Sequence, residues 1–216
     1  MERKEPFFKW ILTKEFIQHT FTYEMLLGLP YEDKMKKARV DFVYLNNENK
    51  THVFEIKTSH DSFARLERQL GFYCQAFDFV SVVLDAIDTK KISKLKKMEI
   101  PENVGIFVID GEELKQIKKP EQNKINLDFV YDILYVGELK QADDTVRMDN
   151  RDEKKCEFMQ KNDIEKLFKK VRFDAHRNRA DFIRRRFSEL KIQDLKKIKK
   201  SITDHEFDYK KRAGSF

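Results

Sequence analysis

The hydrophobic pattern along the chain divides into three regimes. Phe8, Ile11, Leu12, Phe16 and Ile17 recur at helical spacing, Tyr23, Met25, Leu26 and Leu27 follow, and Gly28 and Pro30 close the segment, so residues 7–27 are predicted helical. The period then drops to two. Val40, Phe42 and Tyr44 alternate with Arg39, Asp41 and Val43, and after the polar turn Asn46–Lys50 a second strand runs from His52 to Thr58. It carries Phe54 and Ile56 on one face and Val53, Glu55 and Lys57 on the other. A helix capped by Ser59 or Asp61 follows, with Phe63, Leu66, Leu70, Tyr73 and Phe77 as its apolar stripe. Phe79 to Leu84 is a nearly continuous apolar run, as a buried central strand requires. Thr89 to Met98 reads as a Lys-rich surface helix and Val104 to Ile109 as a fourth strand, closed by Asp110-Gly111.

Beyond Leu127 the strand signals fade. Leu127, Val130, Ile133, Leu134 and Leu139 suit one helix, and the aperiodic polar stretch Asp143–Glu153 reads as a linker. Asn162–Val171, Arg179–Leu190 and Asp194–Ile202 read as further helices. The expected fold class is α/β: a mixed central sheet flanked by helices, with a helical C-terminal extension. The expected division is a core over residues 1–126 and a basic extension over 127–216.

Composition narrows the function classes. In 216 residues, 38% are charged, yet 19 Phe, 7 Tyr and one Trp supply ample core material. No apolar run is long enough to span a bilayer, and the N-terminus lacks the features of a secretory signal, so no membrane partner and a cytoplasmic location are expected. Two cysteines, Cys74 and Cys156, make neither a disulfide framework nor a zinc cluster. The net charge of +6 is uneven. Residues 151–216 hold 21 Lys+Arg against 12 Asp+Glu, a balance of +9, and residues 1–150 hold 23 against 26, a balance of −3. A polyanion, with nucleic acid first, is the expected partner of that basic third; a solvated helical surface is the plainer reading.

The candidate chemistry lies in residues 39–84. Glu-x-Lys recurs by chance in so charged a chain, but Glu55-Ile56-Lys57 sits inside an apolar strand, where charge is costly unless paired or functional. Asp41 lies on the preceding strand of the hairpin. Two carboxylates and a lysine on adjacent strands can hold Mg²⁺ or Mn²⁺, which prefers hard oxygen ligands, and prepare water for attack on phosphate. Lys57 then stabilises the transition state. The competing reading is a surface ion pair of Glu55 with Lys57 or Arg39. Gln69 follows Arg65 by four residues and points the same way. Arg39, Arg65 and Arg68 are candidate phosphate contacts, and Tyr73 is read as core.

Arg39-x-Asp41, Glu55-Ile-Lys-Thr58 and the series from Asp61 through Arg65, Gln69 and Tyr73 together resemble the PD-(D/E)XK nuclease superfamily, closest to the sce7726 family proteins. The resemblance covers about 46 residues. It implies a restriction-endonuclease-like core and Mg²⁺-dependent DNA cleavage. Asp41 and Glu55 would be metal ligands, Lys57 the catalytic lysine, and Gln69 a helix residue at the site. By the same likeness Glu24, read at the end of the first helix, would complete the metal site. Lys161–Leu190 loosely resembles helix–extended-loop–helix nucleic-acid-binding modules such as SAP, with Arg177, Arg179, Arg184, Arg185 and Arg186 on the phosphate backbone. Within that module Ile164, Leu167 and Phe168 would pack against Phe182, Ile183 and Phe187. The expected function is a DNA nuclease. The alternative is a non-catalytic DNA-binding or regulatory module on the same fold. Oligomeric state is open, a homodimer being one option.

Overall fold

The computed structural model describes residues 4–28 and 37–174. Helix α1 (Glu5–Phe16) opens with Pro6 in its first turn, where a missing N–H costs nothing. It ends well short of the predicted boundary at residue 27. Thr20-Phe21-Thr22-Tyr23 is β-branched and aromatic, and it starts a strand, β1 (Thr20–Gly28), rather than continuing the helix. The apolar run Met25–Leu27 resembles a helix face only until its partner strand is known.

Strands β2 (Lys37–Leu45) and β3 (Thr51–Lys57) form the expected hairpin, and β4 (Phe79–Asp85) and β5 (Gly105–Asp110) are the expected third and fourth strands, here parallel to β3. A sixth strand, β6 (Glu113–Lys118), escapes the periodicity argument. It is an edge strand, almost entirely exposed and charged, entered through Gly111 at φ 64. The sheet order is β1-β2-β3-β4-β5-β6, antiparallel at both edges and parallel across β3-β4-β5. The α/β class and mixed sheet are as the pattern predicts.

Each face of the sheet carries its own core. On one, α1 delivers Phe8, Ile11 and Leu12 against Phe42, Tyr44, Phe54 and Ile56. On the other, α2 (Leu66–Ala76) delivers Leu66, Leu70 and Tyr73 against Val43, Val53, Val80 and Val82. The predicted stripe on α2 is correct, but its cap is not. Arg65 is the N-cap, and Asp61 instead closes a turn by accepting from the Thr58 N–H and hydroxyl, both at 2.7 Å. Helix α3 (Thr89–Leu95) is capped by Asp88, which accepts from the Lys91 N–H at 3.1 Å.

The predicted helix from Leu127 is two, α4 (Leu127–Ile133) and α5 (Val136–Leu139), broken at Leu134-Tyr135. The predicted linker holds a fully buried Val146, and its end begins α6 (Arg151–Lys161), whose only buried side chain is Phe158. A polar helix with one apolar anchor gives too little periodicity to be seen.

Residues 164–174 are helical and belong to the α2-side core. Ile164, Leu167, Phe168 and Phe173 are buried there, with Phe168 edge-on to Phe77 at 5.7 Å. Lys169 pairs with Asp78 at 3.2 Å, and Asp78 also accepts from the Thr51 N–H and hydroxyl at 2.9 Å each. Burial alone would raise the Asp78 carboxyl, but those donors and Lys169 hold it below its ordinary range. The first half of the expected nucleic-acid module is thus part of the core. Phe182, Ile183 and Phe187 lie outside the described residues.

This packing gives a stability prediction. Phe168→Ala should lower unfolding free energy by about 3–5 kcal/mol in urea titrations. Lys170→Ala, at an exposed position two residues on, should stay within about 0.5 kcal/mol. Equal, small effects would mean that the helix is peripheral.

Candidate metal centre

Strand register brings the acids together. Tyr23 pairs with Phe42 and Met25 with Val40, so Glu24 falls opposite Asp41. Phe42 pairs with Phe54, and the same register carried one residue on sets Asp41 opposite Glu55. Three adjacent strands therefore present three carboxylates in one row.

The row coincides with a change of side. Phe21 and Tyr23 belong to the α1-side core, whereas Met25 and Leu27, of the same strand parity, belong to the α2-side core. On β2 the change falls between Val40 and Phe42. A plain strand would keep each set on one face. Glu24 has φ 54, in the left-handed region, which costs a non-glycine residue on the order of 1 kcal/mol. Glu24 and Asp41 thus sit where the β1-β2 ribbon rolls over. Beside them the β2-β3 pairing ends at Phe42–Phe54, and the Ile56 N–H donates to Asp41 Oδ2 at 2.8 Å.

Glu5, in the first turn of α1, joins the row. One oxygen from each of Glu5, Glu24 and Asp41 lies within 4.8 Å of the others. A cation about 2.0–2.6 Å from each ligand needs oxygens no farther apart than about 4–5 Å, so this all-oxygen set fits a hard divalent ion. The sequence reading missed Glu5. Its position depends on how α1 docks against β1, which no local pattern encodes. Glu24, expected on the first helix, lies instead on β1, and Glu5 is the helical acid.

Glu55 is in a second, drier cluster, only 2% exposed. Lys57 Nζ donates to its Oε1 at 2.6 Å and lies 3.4 Å from Gln69 Oε1. The Tyr73 hydroxyl lies 3.2 Å from Glu55 Oε2 and 2.9 Å from the Arg39 carbonyl, and accepts from Gln69 Nε2 at 3.5 Å. Tyr73 is core, as expected, but it also holds Glu55; its spacing on α2 gave no sign of that second role. Lys9 is held by Glu24 and by Glu5, the latter at 2.5 Å, and Arg39 Nε reaches Glu24 Oε2 at 2.8 Å. Arg65 and Arg68 are exposed on α2, with the Arg68 guanidinium 5.8 Å from the centre of the Phe72 ring. Arg177, Arg179, Arg184, Arg185 and Arg186 lie outside the described residues.

The electrostatics follow from burial first. Asp41 is pushed well above the ordinary aspartate range by burial and by the neighbouring Glu55 charge, against the Ile56 N–H. Burial also raises Glu55, against Lys57 and Tyr73, and raises Glu24, against Lys9 and Arg39. Burial would raise Glu5 too, but Lys9 outweighs it and the net shift is downward. Tyr73 is driven far up by burial and by both acids, so its hydroxyl keeps its proton. A site that strains to ionise its carboxylates gains most from a cation that lets them do so.

Fold and site together define an α/β protein with an acidic, cation-compatible centre at the rolled edge of a mixed sheet. Over residues 3–211 the chain matches the family model described as bacteriophage P4 protein cII, and it belongs to that family. The placement with the sce7726 proteins and the PD-(D/E)XK superfamily is thereby corrected. It rested on about 46 residues of spaced charges on a hairpin and helix, a pattern too short to outweigh a match over nearly the whole chain. No curated protein matches the chain. A solved structure of a protein of unknown function from Silicibacter pomeroyi is similar at a TM-score of 0.41 and 14% identity, covering 85% of this chain and 92% of that one. Among the described residues no helix is long and apolar enough to cross a membrane.

The raised acids set a pH dependence. A carboxyl whose folded pKa exceeds its unfolded value keeps, in the fold, a proton that the unfolded chain has released. Its contribution to stability therefore falls as pH rises above about 4, the unfolded value, toward the raised one. His52, lowered to about 4 by burial between Tyr44 and Phe79, slopes the other way. The informative quantity is thus the difference between wild type and Asp41→Asn, which keeps an acceptor for the Ile56 N–H. In EDTA the variant's melting temperature should gain on wild type as pH rises from about 5 to about 8. Added Mn²⁺ should raise wild type more than the variant, increasingly with pH. A flat difference would mean that Asp41 is not strained.

Proposed function

We propose that this protein is a metal-dependent nuclease that hydrolyses phosphodiester bonds in DNA. The observation that carries the reading is the carboxylate row Glu24–Asp41–Glu55 across three strands, with Lys57 on the same strand face as Glu55. Asp41 is the common member, touching the Glu5–Glu24 group on one side and facing Glu55 on the other.

These residues would hold Mg²⁺ or Mn²⁺, which in such a site supplies an acidified water and neutralises charge on the phosphate. The chain's own groups do the remainder. Asp41 and Glu24 offer hard oxygens at the mouth, Glu5 closes the set from α1, and Glu55 offers oxygens from the dry side. Lys57 neutralises Glu55 at rest; with Glu55 held by the ion, the Lys57 ammonium would be free to stabilise charge on a pentavalent phosphate. Gln69 steadies Lys57 and the Tyr73 hydroxyl. Tyr73, kept protonated, orients Glu55. Arg39 lies at the mouth, 62% exposed, where a backbone phosphate can displace Glu24 from it.

A second reading, a non-catalytic DNA-binding or regulatory module, is favoured by one observation. Lys9, Arg39 and Lys57 already match the charges of Glu24 and Glu55, so these acids also make sense as a self-neutralised network.

Cleavage assays on linear, nicked, single-stranded and branched DNA separate the two readings. The nuclease should need Mg²⁺ or Mn²⁺ and stop with EDTA. Asp41→Asn and Glu55→Gln should abolish turnover and metal binding. Lys57→Ala should keep metal binding while slowing cleavage on the order of a hundredfold or more. Tight DNA binding without cleavage of any substrate by either metal would establish the regulatory reading instead.

A further inference from the structure

A cluster of exposed lysines lies not at the acidic row but on α3 and just after it. Helix α3 and the turn that closes it shape a shallow depression of about 480 Å³, lined by Thr89, Lys90, Ser93, Lys94 and Lys97. Three ammonium groups and two hydroxyls face it, and no carboxylate does. Lys90 and Lys94, four residues apart, share one side of α3, Lys97 follows in the turn that closes it, and all three are exposed. Asp88, which caps α3, and Asp61, in the turn that Lys91 grips, are each engaged with backbone donors.

Two features tie this surface to the candidate centre. The first is topological. Lys57, at the end of β3, pairs with Leu84, near the end of β4, and only three residues separate β4 from α3. Both therefore lie at the same end of the parallel strands. The second is direct. Lys91 on α3 donates to the carbonyls of Thr58 and Asp61, the latter at 2.7 Å, which clamps the helix onto the turn that leaves Lys57. Lys91 and Lys94 also stand over the Phe63 ring at 5.7 and 5.8 Å. The lysine surface is thus fixed relative to the site, not a floating tail.

We propose that the Lys90–Lys94–Lys97 surface of α3 and its closing turn is the track on which the phosphodiester backbone of DNA lies as it reaches the carboxylate row. The chemistry is that of repeated monoanions: ammoniums spaced along this surface meet successive phosphates, and Thr89 and Ser93 add hydroxyl donors. Contacts of this kind read backbone and not bases, so the track holds DNA of any sequence. The inference rests on the nuclease reading for the identity of the polyanion, but its own requirement is binding, not cleavage.

The test separates these. Affinity for labelled duplex and single-stranded DNA is measured by fluorescence anisotropy in EDTA, so that cleavage plays no part, across a salt series. Lys90→Ala/Lys94→Ala/Lys97→Ala is compared with the charge-matched control Lys124→Ala/Lys140→Ala/Lys161→Ala, at exposed lysines away from α3. The track variant should bind about tenfold more weakly or worse. Its log–log salt slope on duplex should be shallower by about 2.7, the loss of three phosphate contacts, alike for unrelated sequences. The control should match wild type. In wild type, bound DNA should protect Lys90, Lys94 and Lys97 from amine acylation read by mass spectrometry, a measurement that needs no variant to fold. Equal effects of the two variants, no protection, or no DNA binding by wild type in EDTA would each overturn the track. If the track variant loses binding but wild type cuts nothing, the nuclease reading fails and the track stands. If metal-dependent cleavage is intact while track and control behave alike, the track fails and the nuclease reading stands.

Discussion

The side chain on which this structure turns is Asp41. It is half-buried, it faces Glu55, and it replaces a strand partner for the Ile56 N–H where the β2-β3 ladder stops. Around it four carboxylates, Glu5, Glu24, Asp41 and Glu55, meet only three cations, Lys9, Arg39 and Lys57. Like charges this close and this dry cannot all ionise without cost, and each unpaired one is penalised by several kcal/mol. A fold dominated by stability would have placed apolar side chains on this row, as it does one residue away on both sides.

The rest of the architecture makes that expense tolerable. Two separate cores, one under α1 and one under α2, grip the sheet from opposite faces. The ribbon β1-β2 rolls between them at Glu24 and Asp41, so the polar row lies on the seam and interrupts neither core. The far end of the hairpin is secured independently. Asp78 gathers the Thr51 N–H, the Thr51 hydroxyl and Lys169, and so ties the β2-β3 turn region, the start of β4 and the helix at 164–174 into one polar knot. That knot resolves its charge, since donors outweigh burial and Asp78 ionises readily. The acidic row does the reverse. The two clusters thus differ in kind: one settles its charge with donors and a lysine, while the other keeps Glu24, Asp41 and Glu55 above their ordinary range.

How much of this the sequence disclosed depended on whether the signal was local. Glu55 and Lys57 stood out because they sit inside an apolar strand, and Gln69 because it shares a helix side with Arg65 and the resemblance put a helix residue at the site; the structure brings Glu55, Lys57 and Gln69 together. Glu5 was invisible, because it reaches the row only through the docking of α1. Glu24 was noticed but placed on a helix, because Met25–Leu27 mimic a helix face until β2 is seen to change sides with them. Strand β6 and helix α6 were lost for a shared reason: each buries almost nothing, so neither writes a hydrophobic period into the chain. The family placement failed differently. A spaced handful of charges on one hairpin and one helix described a local chemistry well, and was then asked to identify a lineage.

Charge in this protein is divided by stiffness. At the row, acids and lysines extend from strands and are locked by short contacts, Lys57 to Glu55, Arg39 to Glu24, and Tyr73 to both the Arg39 carbonyl and Glu55. Such groups hold a fixed geometry, which transition-state stabilisation demands and substrate capture does not. On α3 and its closing turn, by contrast, Lys90, Lys94 and Lys97 are exposed on long stems that can follow a backbone whose phosphates vary in position. Lys91 is tied to the Thr58 and Asp61 carbonyls, and it is the lysine that joins the two regions. On the nuclease reading proposed above, compliant charge outside would serve general binding and rigid charge inside would serve chemistry at one point. The C-terminal third adds net positive charge to the chain, but its described part spends Lys169 and Arg172 on core contacts with Asp78 and Glu138. Net charge by sequence position thus counts such buried structural cations together with exposed ones.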